Sequence, residues 1–338
     1  MHNIDARYNL SASLLQYGTE LEPRVELRQL DYFLAVAETL NVSRAATRVF
    51  VSQPALSRQI RLLEEELGVN LFDRTARGMT LTDAGVLLRQ RATSVVKDVA
   101  SIKEDVGAHA AEAFGTVTLG IPSALQELLT TRVVSRFAKQ HPKALLRVRE
   151  GTSRDIRDGL ASGDVDIAFL SAEEPSNPFE CRTVLTETLV AIALPDDGLT
   201  MTRPISVQSL CYNPLILTPY PNSLRTLIDR AAAGVGAEVR ISVEADQSTL
   251  MLDLVQQGLG YAILPYCAAH EPLNAGLVSV SPIENLHMSW NIAFSKERSL
   301  STAARSLYAL LSSEAEQLVL QQQWPTAVLT ARAGQLGS

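Results

Sequence analysis

Apolar residues recur in three- and four-residue steps over 27–40, where Leu30, Phe33, Leu34 and Ala37 line one side of a predicted helix. A second, shorter helix follows, capped by Asn41 or Ser43, with Ala45, Ala46 and Val49 small or branched enough for a close crossing. The chain turns at Phe50-Val51 and a third helix opens. Ser52 can accept an orphan backbone N–H there, and Pro54 suits a first turn in which its missing N–H is not needed. Along this helix Ala55, Leu56, Ile60 and Leu63 are expected to face inward, leaving Gln53, Ser57, Arg58 and Arg61 outside. Leu67-Gly68 ends it, Leu71-Phe72 begins a return, and 77–82 predicts a short β wing that brings Arg74 and Arg77 to its surface.

Thr82 can cap a longer helix, with Gly85 permitting close packing in its first turns. Leu88, Ala92, Val95, Val99, Ile102 and Val106 follow in alternating four- and three-residue steps, the spacing of a coiled-coil seam. A helix packed on its own domain would carry a similar stripe. This one separates two compositionally distinct regions, which favours a dimerising linker over 82–110. Beyond a hinge at 111–115 the pattern changes. Apolar strands over 116–121, 144–148 and 165–169 alternate with helices over 125–139 and 154–160, as in a mostly parallel sheet with helices on both faces. A second set begins with a strand at 189–194. It continues through strands 214–217, 239–243 and 261–264 and helices 224–233 and 250–257. A strand at 290–294 crosses back to the first set and a helix over 302–314 closes it. The expected division is an α/β effector-type domain over 115–315. Lobe I takes 115–187 and 291–315, and lobe II takes 188–290. Residues 1–26 are read as a loosely ordered extension and 316–338 as a C-terminal tail.

Two lobes joined by crossing strands leave a cleft, a common place for a small molecule. Polar breaks at strand ends would meet there: Ser123, Thr152 with Ser153, Thr218, Ser223, and Gln247 with Ser248. Helix starts at Ser123, Ser153, Ser223 and Ser248 offer N–H groups and positive dipole ends, so an organic acid or other anion is a candidate occupant. Each Ser or Thr taken alone is a cap and nothing more; their recurrence argues for the cleft as a set. Arg154 and Arg225 are the cations near enough in sequence to swing in.

The outward residues of the third helix match what a helix in the DNA major groove needs. Gln can bridge the adenine edge, Arg the guanine edge, and Ser suits a base or a phosphate. Ser43 and Arg44 stand at the start of the helix before it. A net charge of -7 opposes that reading, but its distribution does not. Residues 27–110 hold 11 Lys/Arg against 10 Asp/Glu, net +1, whereas 111–338 carry −6. Local arginines decide docking more than whole-chain charge. Cys181, Cys211 and Cys267 are widely spaced and odd in number, which fits buried thiols in a reducing compartment. No segment approaches the length of a bilayer span, so a cytoplasmic location is expected. The chain shows no phosphate loop and no Cys/His pattern at zinc spacing. Gly258-Leu259-Gly260 reads as a turn, and His141, His270 and His287 are isolated. Asp164 and Asp166 flank Val165 at a strand entrance, placed to bind polar backbone or to stay solvated. Neither an enzyme nor a metal or other cofactor is expected.

From Leu27 to Gly85 the chain resembles the LysR-type transcriptional regulators. The resemblance rests on Ser43-Arg44-Ala45-Ala46, on Val51-Ser52-Gln53-Pro54-Ala55-Leu56-Ser57 and on Leu67-Gly68-Val69-Asn70-Leu71-Phe72. It extends more loosely to about residue 315. It implies a winged helix-turn-helix over 27–85 with the helix from Ser52 as recognition helix. Gln53, Pro54, Ser57 and Arg58 would lie nearest the DNA, with Arg74 and Arg77 serving the wing. It implies a linker that pairs two heads, and a two-lobed domain of the periplasmic-binding-protein type. Effector contacts would fall on Ser123, Thr152 or Ser153, Thr218, and Gln247 or Ser248. Leu40 departs from the glycine common at its position. Paired heads imply promoter DNA with an interrupted palindrome, its half-sites about 34 Å or a multiple apart. Family precedent favours a homotetramer over a homodimer, and a promoter target makes RNA polymerase a further contact. The alternative is a non-enzymatic binding or assembly protein whose helical head makes protein contacts. An apolar outer surface on helix 53–66 would favour that alternative; exposed Gln, Ser and Arg would favour DNA.

Overall fold

The structure, a computed structural model, describes residues 25–75, 78–107, 115–171, 179–296 and 298–330. All but the last two residues of the extension read over 1–26 lie outside these. The chain divides into two compact units, 1–92 and 93–338.

The first unit opens with α1 (Leu27–Thr39), α2 (Val42–Arg48) and α3 (Gln53–Leu67). Phe33, Val36, Ala45, Leu56, Leu63 and Leu71 form its buried centre. Leu40 ends α1 in the left-handed region at φ 46°, where a side chain crowds its own backbone and glycine is favoured. Asn41 Oδ1 accepts the N–H of Arg44 at 3.0 Å and so caps α2. Ser52 Oγ accepts the N–H of Ala55 at 3.4 Å and caps α3, which closes on Gly68 at φ 68°. Ala55, expected to face inward, is exposed. The buried stripe is Leu56, Ile60 and Leu63, and one residue back along a helix lies about 100° around the axis.

β1 (Phe72–Thr75) and β2 (Gly78–Leu81) pair antiparallel, with Phe72 opposite Leu81 and Arg74 opposite Met79. The rings of Phe33 and Phe72 pack 5.4 Å apart, and Glu64 Oε1 accepts the N–H of Leu71 at 2.8 Å. These contacts hold the wing against the helices. Thr82 Oγ1 accepts the N–H of Gly85 at 3.0 Å and starts α4 (Asp83–Gly107). A Cβ on Gly85 would sit 2.1 Å from the carbonyl oxygen of Leu71, so only glycine fits this crossing.

The second unit begins with β3 (Gly115–Ile121). The helix read over 125–139 is broken at its start into a 3-10 turn (Ser123–Leu125) and a π turn (Gln126–Thr130) before α5 (Thr131–Gln140). Then come β4 (Ala144–Glu150), α6 (Ser153–Ser162), β5 (Ile167–Ser171) and the 15-residue β6 (Phe179–Ala193). Next are α7 (Val207–Cys211), β7 (Leu215–Leu217), α8 (Ser223–Gly234), β8 (Ile241–Glu244), α9 (Ser248–Gln256) and β9 (Tyr261–Leu264). The chain closes with α10 (Tyr266–Asn274), the 17-residue β10 (Ser279–Ser295), α11 (Thr302–Leu320) and β11 (Ala327–Leu329). The sheet order is β4-β3-β5-β10-β6-β9-β7-β8, with β11 on β6. β3 runs parallel to β4 and β5, and β7 parallel to β8 and β9, while β6 and β10 pair antiparallel. Each lobe is therefore parallel at its centre, and the two lobes share the long antiparallel pair.

Two further features depart from the sequence expectation. α11 runs on past Glu314 to Leu320, and the segment read as a tail folds back as far as residue 330. Trp324 is fully buried, and Ala327 pairs with Glu187 of β6. A buried carboxylate supplies the acceptors that draw this segment in. The two acids at the strand entrance also find partners. Asp166 Oδ2 accepts the N–H of Thr118 and Oδ1 meets Lys97 Nζ of α4, both at 2.8 Å. Asp164 pairs with Arg149 at 3.3 Å.

Candidate functional site

In the head, Ser43, Arg44, Ser52, Gln53, Pro54, Arg58 and Arg61 are exposed and Ser57 is half-buried. The Ser52 cap and Pro54 start α3 cleanly, burial of Leu56, Ile60 and Leu63 turns Arg58 outward, and Gln53 is exposed at the first position of the helix. The surface of this helix is thus largely polar at its start, as DNA requires. Arg48, near it, is paired with Glu38. Arg74 sits on β1; Arg77 lies outside the described residues. One surface residue escaped the sequence reading: Phe50, in the turn between α2 and α3, is 95 % exposed at φ 57°. An aromatic ring in a turn before a polar helix was the available signal.

Along α4, Ala92 is buried, Leu88 and Val99 are half-buried, and Val95 is 44 % exposed. The side chains of Ile102 and Val106 lie outside the described residues.

Between the lobes of the second unit lies a cavity of about 470 Å³. It collects Ser123, Thr152, Ser153, Thr218, Gln247 and Ser248 from the sequence-predicted set. Ser223 does not line it; the cap residue Asn222 and Leu224 take that position on α8. Thr152 Oγ1 caps α6 by accepting the N–H of Asp155 at 3.2 Å, and Asn222 Oδ1 caps α8 by accepting the N–H of Leu224 at 2.9 Å. α9 differs: Gln247 at its cap makes no side-chain hydrogen bond to the first turn. Thr218 is only 5 % exposed, and its hydroxyl has no hydrogen-bond partner. Ser153 and Ser171 hydroxyls meet at 3.1 Å.

Asp246, next to Gln247 in the break at 246–248, also lines the cavity; the sequence reading missed the acids Glu150 and Asp155 and the apolar floor of Trp290, Met288 and Met251. Spacing could not reveal them, because they come from strand ends and crossing strands far apart in the chain. The hydroxyl of Thr152, and then its N–H, hold the Asp155 carboxyl below its ordinary range. Arg225, a candidate to swing in, is instead bound to Asp229 Oδ2 at 2.8 Å, Glu244 Oε1 at 2.6 Å and the carbonyl of Thr218 at 3.2 Å. Arg154 is exposed and does not line the cavity.

Behind the floor, burial pushes the Glu187 carboxyl above its ordinary value, against the pull of donors from Trp290, Trp324, Tyr266 and Thr326. Burial likewise raises the Cys267 thiol well above its ordinary value, which suppresses the reactive thiolate. No disulfide joins the three cysteines. Among the described residues no group of three or more His, Cys, Asp or Glu is placed to hold a metal ion. No described helix is long and apolar enough to cross a membrane.

A winged helix-turn-helix followed by a two-lobed domain around a cavity defines a DNA-binding regulator with an effector domain. Residues 27–86 match the model of the bacterial regulatory helix-turn-helix protein, lysR family, and 110–316 match the LysR substrate binding domain. The chain belongs to the LysR family and is a sequence-specific DNA-binding transcriptional regulator with an effector-binding domain. It is 30 % identical over 298 residues to the HTH-type transcriptional regulator BbuR of Bordetella bronchiseptica, covering 88 % of this chain and 92 % of that one. A full-length OxyR variant from Pseudomonas aeruginosa shares the fold with a TM-score of 0.72 at 21 % identity, over 91 % of this chain and 99 % of that one. Full-length CbnR in complex with its target DNA gives 0.60 at 21 % identity, over 87 % and 99 %.

Proposed function

We propose that the head reads promoter DNA through Gln53, Pro54, Ser57, Arg58 and Arg61 of the recognition helix, with Ser43, Arg44 and Ser52 on the flanking phosphates. Arg74 and Arg77 of the wing complete the backbone contacts. The observation that carries this reading is the capped first turn of α3, where Gln53 is exposed at the helix start, with Arg58 exposed on the side away from the buried Leu56, Ile60 and Leu63. Two heads joined along Leu88, Ala92, Val95, Val99, Ile102 and Val106 would bind an interrupted palindrome as a homo-oligomer, a tetramer by preference. RNA polymerase is a further contact of such an assembly.

The effector sits among Ser123, Thr152, Ser153, Thr218, Gln247 and Ser248. The uncapped start of α9 and the free Thr218 hydroxyl favour an acceptor group on it, such as the carboxylate of an organic acid. An effector shifts the regulator only if it binds one arrangement of the lobes more tightly than another.

The test is selection of genomic fragments by the purified protein, read by sequencing at near-physiological salt. An interrupted palindrome should be enriched, and a Gln53→Ala, Arg58→Ala double variant should lose that enrichment while staying folded. Unchanged enrichment by the variant would remove both residues from base recognition.

A further inference from the structure

The charges around the inter-lobe cavity are of one sign. Glu150 and Asp155 line it from lobe I and Asp246 from lobe II, and among the described residues no Lys, Arg or His lines it. Asp155 is engaged at the start of its own helix, where it accepts from Thr152 Oγ1 at 2.7 Å and Thr152 N at 3.0 Å. Glu150 and Asp246 form no ion pair with another described residue. One stands on each lobe, so approach of the lobes brings two carboxylates toward each other unless a cation lies between them. Lobe II also holds the acceptor-seeking groups: the buried, unpartnered Thr218 hydroxyl and the uncapped first turn of α9 at Ser248 and Thr249. The floor beneath is apolar, built from Trp290, Met288 and Met251.

We propose that the effector is a small amino-acid-like molecule. Its ammonium bridges Glu150 and Asp246, its neighbouring carboxylate or carbonyl takes Thr218 Oγ1 and the α9 N–H groups, and its apolar side chain lies on Trp290. This rests on the cleft being the effector site. It explains how binding favours closure: the ammonium turns repulsion between the lobes into attraction, which an amine-free acid cannot do.

The experiment is a thermal-shift screen of the full-length protein, followed by calorimetry on each binder. Three matched sets share the same side chains: the common amino acids, their decarboxylated amines and their deaminated acids. At least one amine-bearing compound should raise the unfolding midpoint while its deaminated counterpart does not. Asp246→Asn and Glu150→Gln, both at exposed positions, should each weaken that binding at least tenfold with the unliganded midpoint unchanged. Stabilisation by deaminated acids alone, or by none of the sets, overturns the ammonium assignment. A deaminated acid whose binding is lost in Thr218→Val leaves the cleft as the effector site and removes only the ammonium. An amine that binds equally well to Thr218→Val, Asp246→Asn and Glu150→Gln sits elsewhere and overturns both readings.

Discussion

Trp290 donates its indole N–H to Glu187 Oε2 at 2.5 Å, and the second oxygen of that fully buried carboxyl group takes three more donors. Trp324 Nε1 reaches Oε1 at 2.9 Å, the N–H of Tyr266 at 2.7 Å and the Thr326 hydroxyl at 3.2 Å. One side chain of β6 thus ties together a crossing strand, the start of α10 and the segment after α11. Because Trp290 also lines the cavity, the knot lies directly behind the cavity floor.

Glu187→Gln tests this knot. In either orientation the amide NH2 opposes at least one indole or backbone donor, whereas removing a buried charge works in the other direction. Leaving one of these buried donors unpaired costs about 1–3 kcal/mol, and we expect that cost to dominate. Thermal melting of the variant should show a lower midpoint. The sign of the pH dependence follows from burial. The folded carboxyl holds its proton above the ordinary glutamate value of 4.5, so stability from this group is full below that value. It is lost as pH rises through the folded pKa. The Gln variant should lack that decline. The chain has two tryptophans, both bonded to Glu187, so intrinsic fluorescence reports this site without labels.

Leu40→Gly should stabilise the head. Leu40 holds φ 46° and ψ 28° at the end of α1 and is 43 % exposed. A non-glycine residue there costs about 1–2 kcal/mol, while glycine adds about 0.4–1 kcal/mol of unfolded-state entropy. The difference favours glycine by roughly 0.5–1 kcal/mol. Chemical denaturation followed through the head's transition checks it, and a lower midpoint would show that the Leu40 side chain contributes packing that outweighs its backbone.

How far the sequence carries depends on how local each determinant is. The head was legible because its caps at Asn41 and Ser52 and its Pro54 act on backbone within a few residues, although the close approach at Gly85 is to Leu71, 14 positions earlier. Leu40 at the α1 terminus shows the limit even there, since its side chain does not announce a left-handed backbone. The cleft was half legible. Ser and Thr at strand ends mark themselves as caps, and the break at 246–248 carries Asp246 with them, but Glu150 and Trp290 join them only because β6 and β10 cross between lobes. The fold-back of residues 321–330 was invisible for the same reason: its determinant, Glu187, lies 137 positions before Trp324.

Phe50→Ala should weaken operator binding about fivefold while leaving stability unchanged. The ring is almost wholly exposed beside the start of α3, so its removal costs the fold little. Burying an edge of the ring against a sugar or a thymine methyl, an area like that of one methylene, is worth about 1 kcal/mol. Because the residue is uncharged, the slope of affinity against salt should stay as it is, unlike the change expected on losing a phosphate-facing arginine. Fluorescence anisotropy on an operator duplex at two salt concentrations separates these outcomes. Wild-type affinity in the variant would remove Phe50 from the interface.

Asp166→Asn should loosen the link between the long helix and lobe I without harming either end. α4 runs unbroken from Asp83 to Gly107, and its Lys97 is held by Asp166 Oδ1 while Oδ2 accepts from Thr118. Asparagine keeps an acceptor for Thr118 and turns an NH2 toward Lys97, so the ion pair alone is broken. The pair is partly exposed, with side-chain exposures of 36 % and 20 %, and such pairs contribute about 0–1 kcal/mol. The unfolding midpoint should therefore barely move, and operator affinity, set in the head, should not move at all. Hydrogen exchange should nevertheless quicken over residues 95–107, because the tether that suppresses opening of this part of α4 is gone. If that protection is unchanged, Lys97 is not what couples the helix to the lobe.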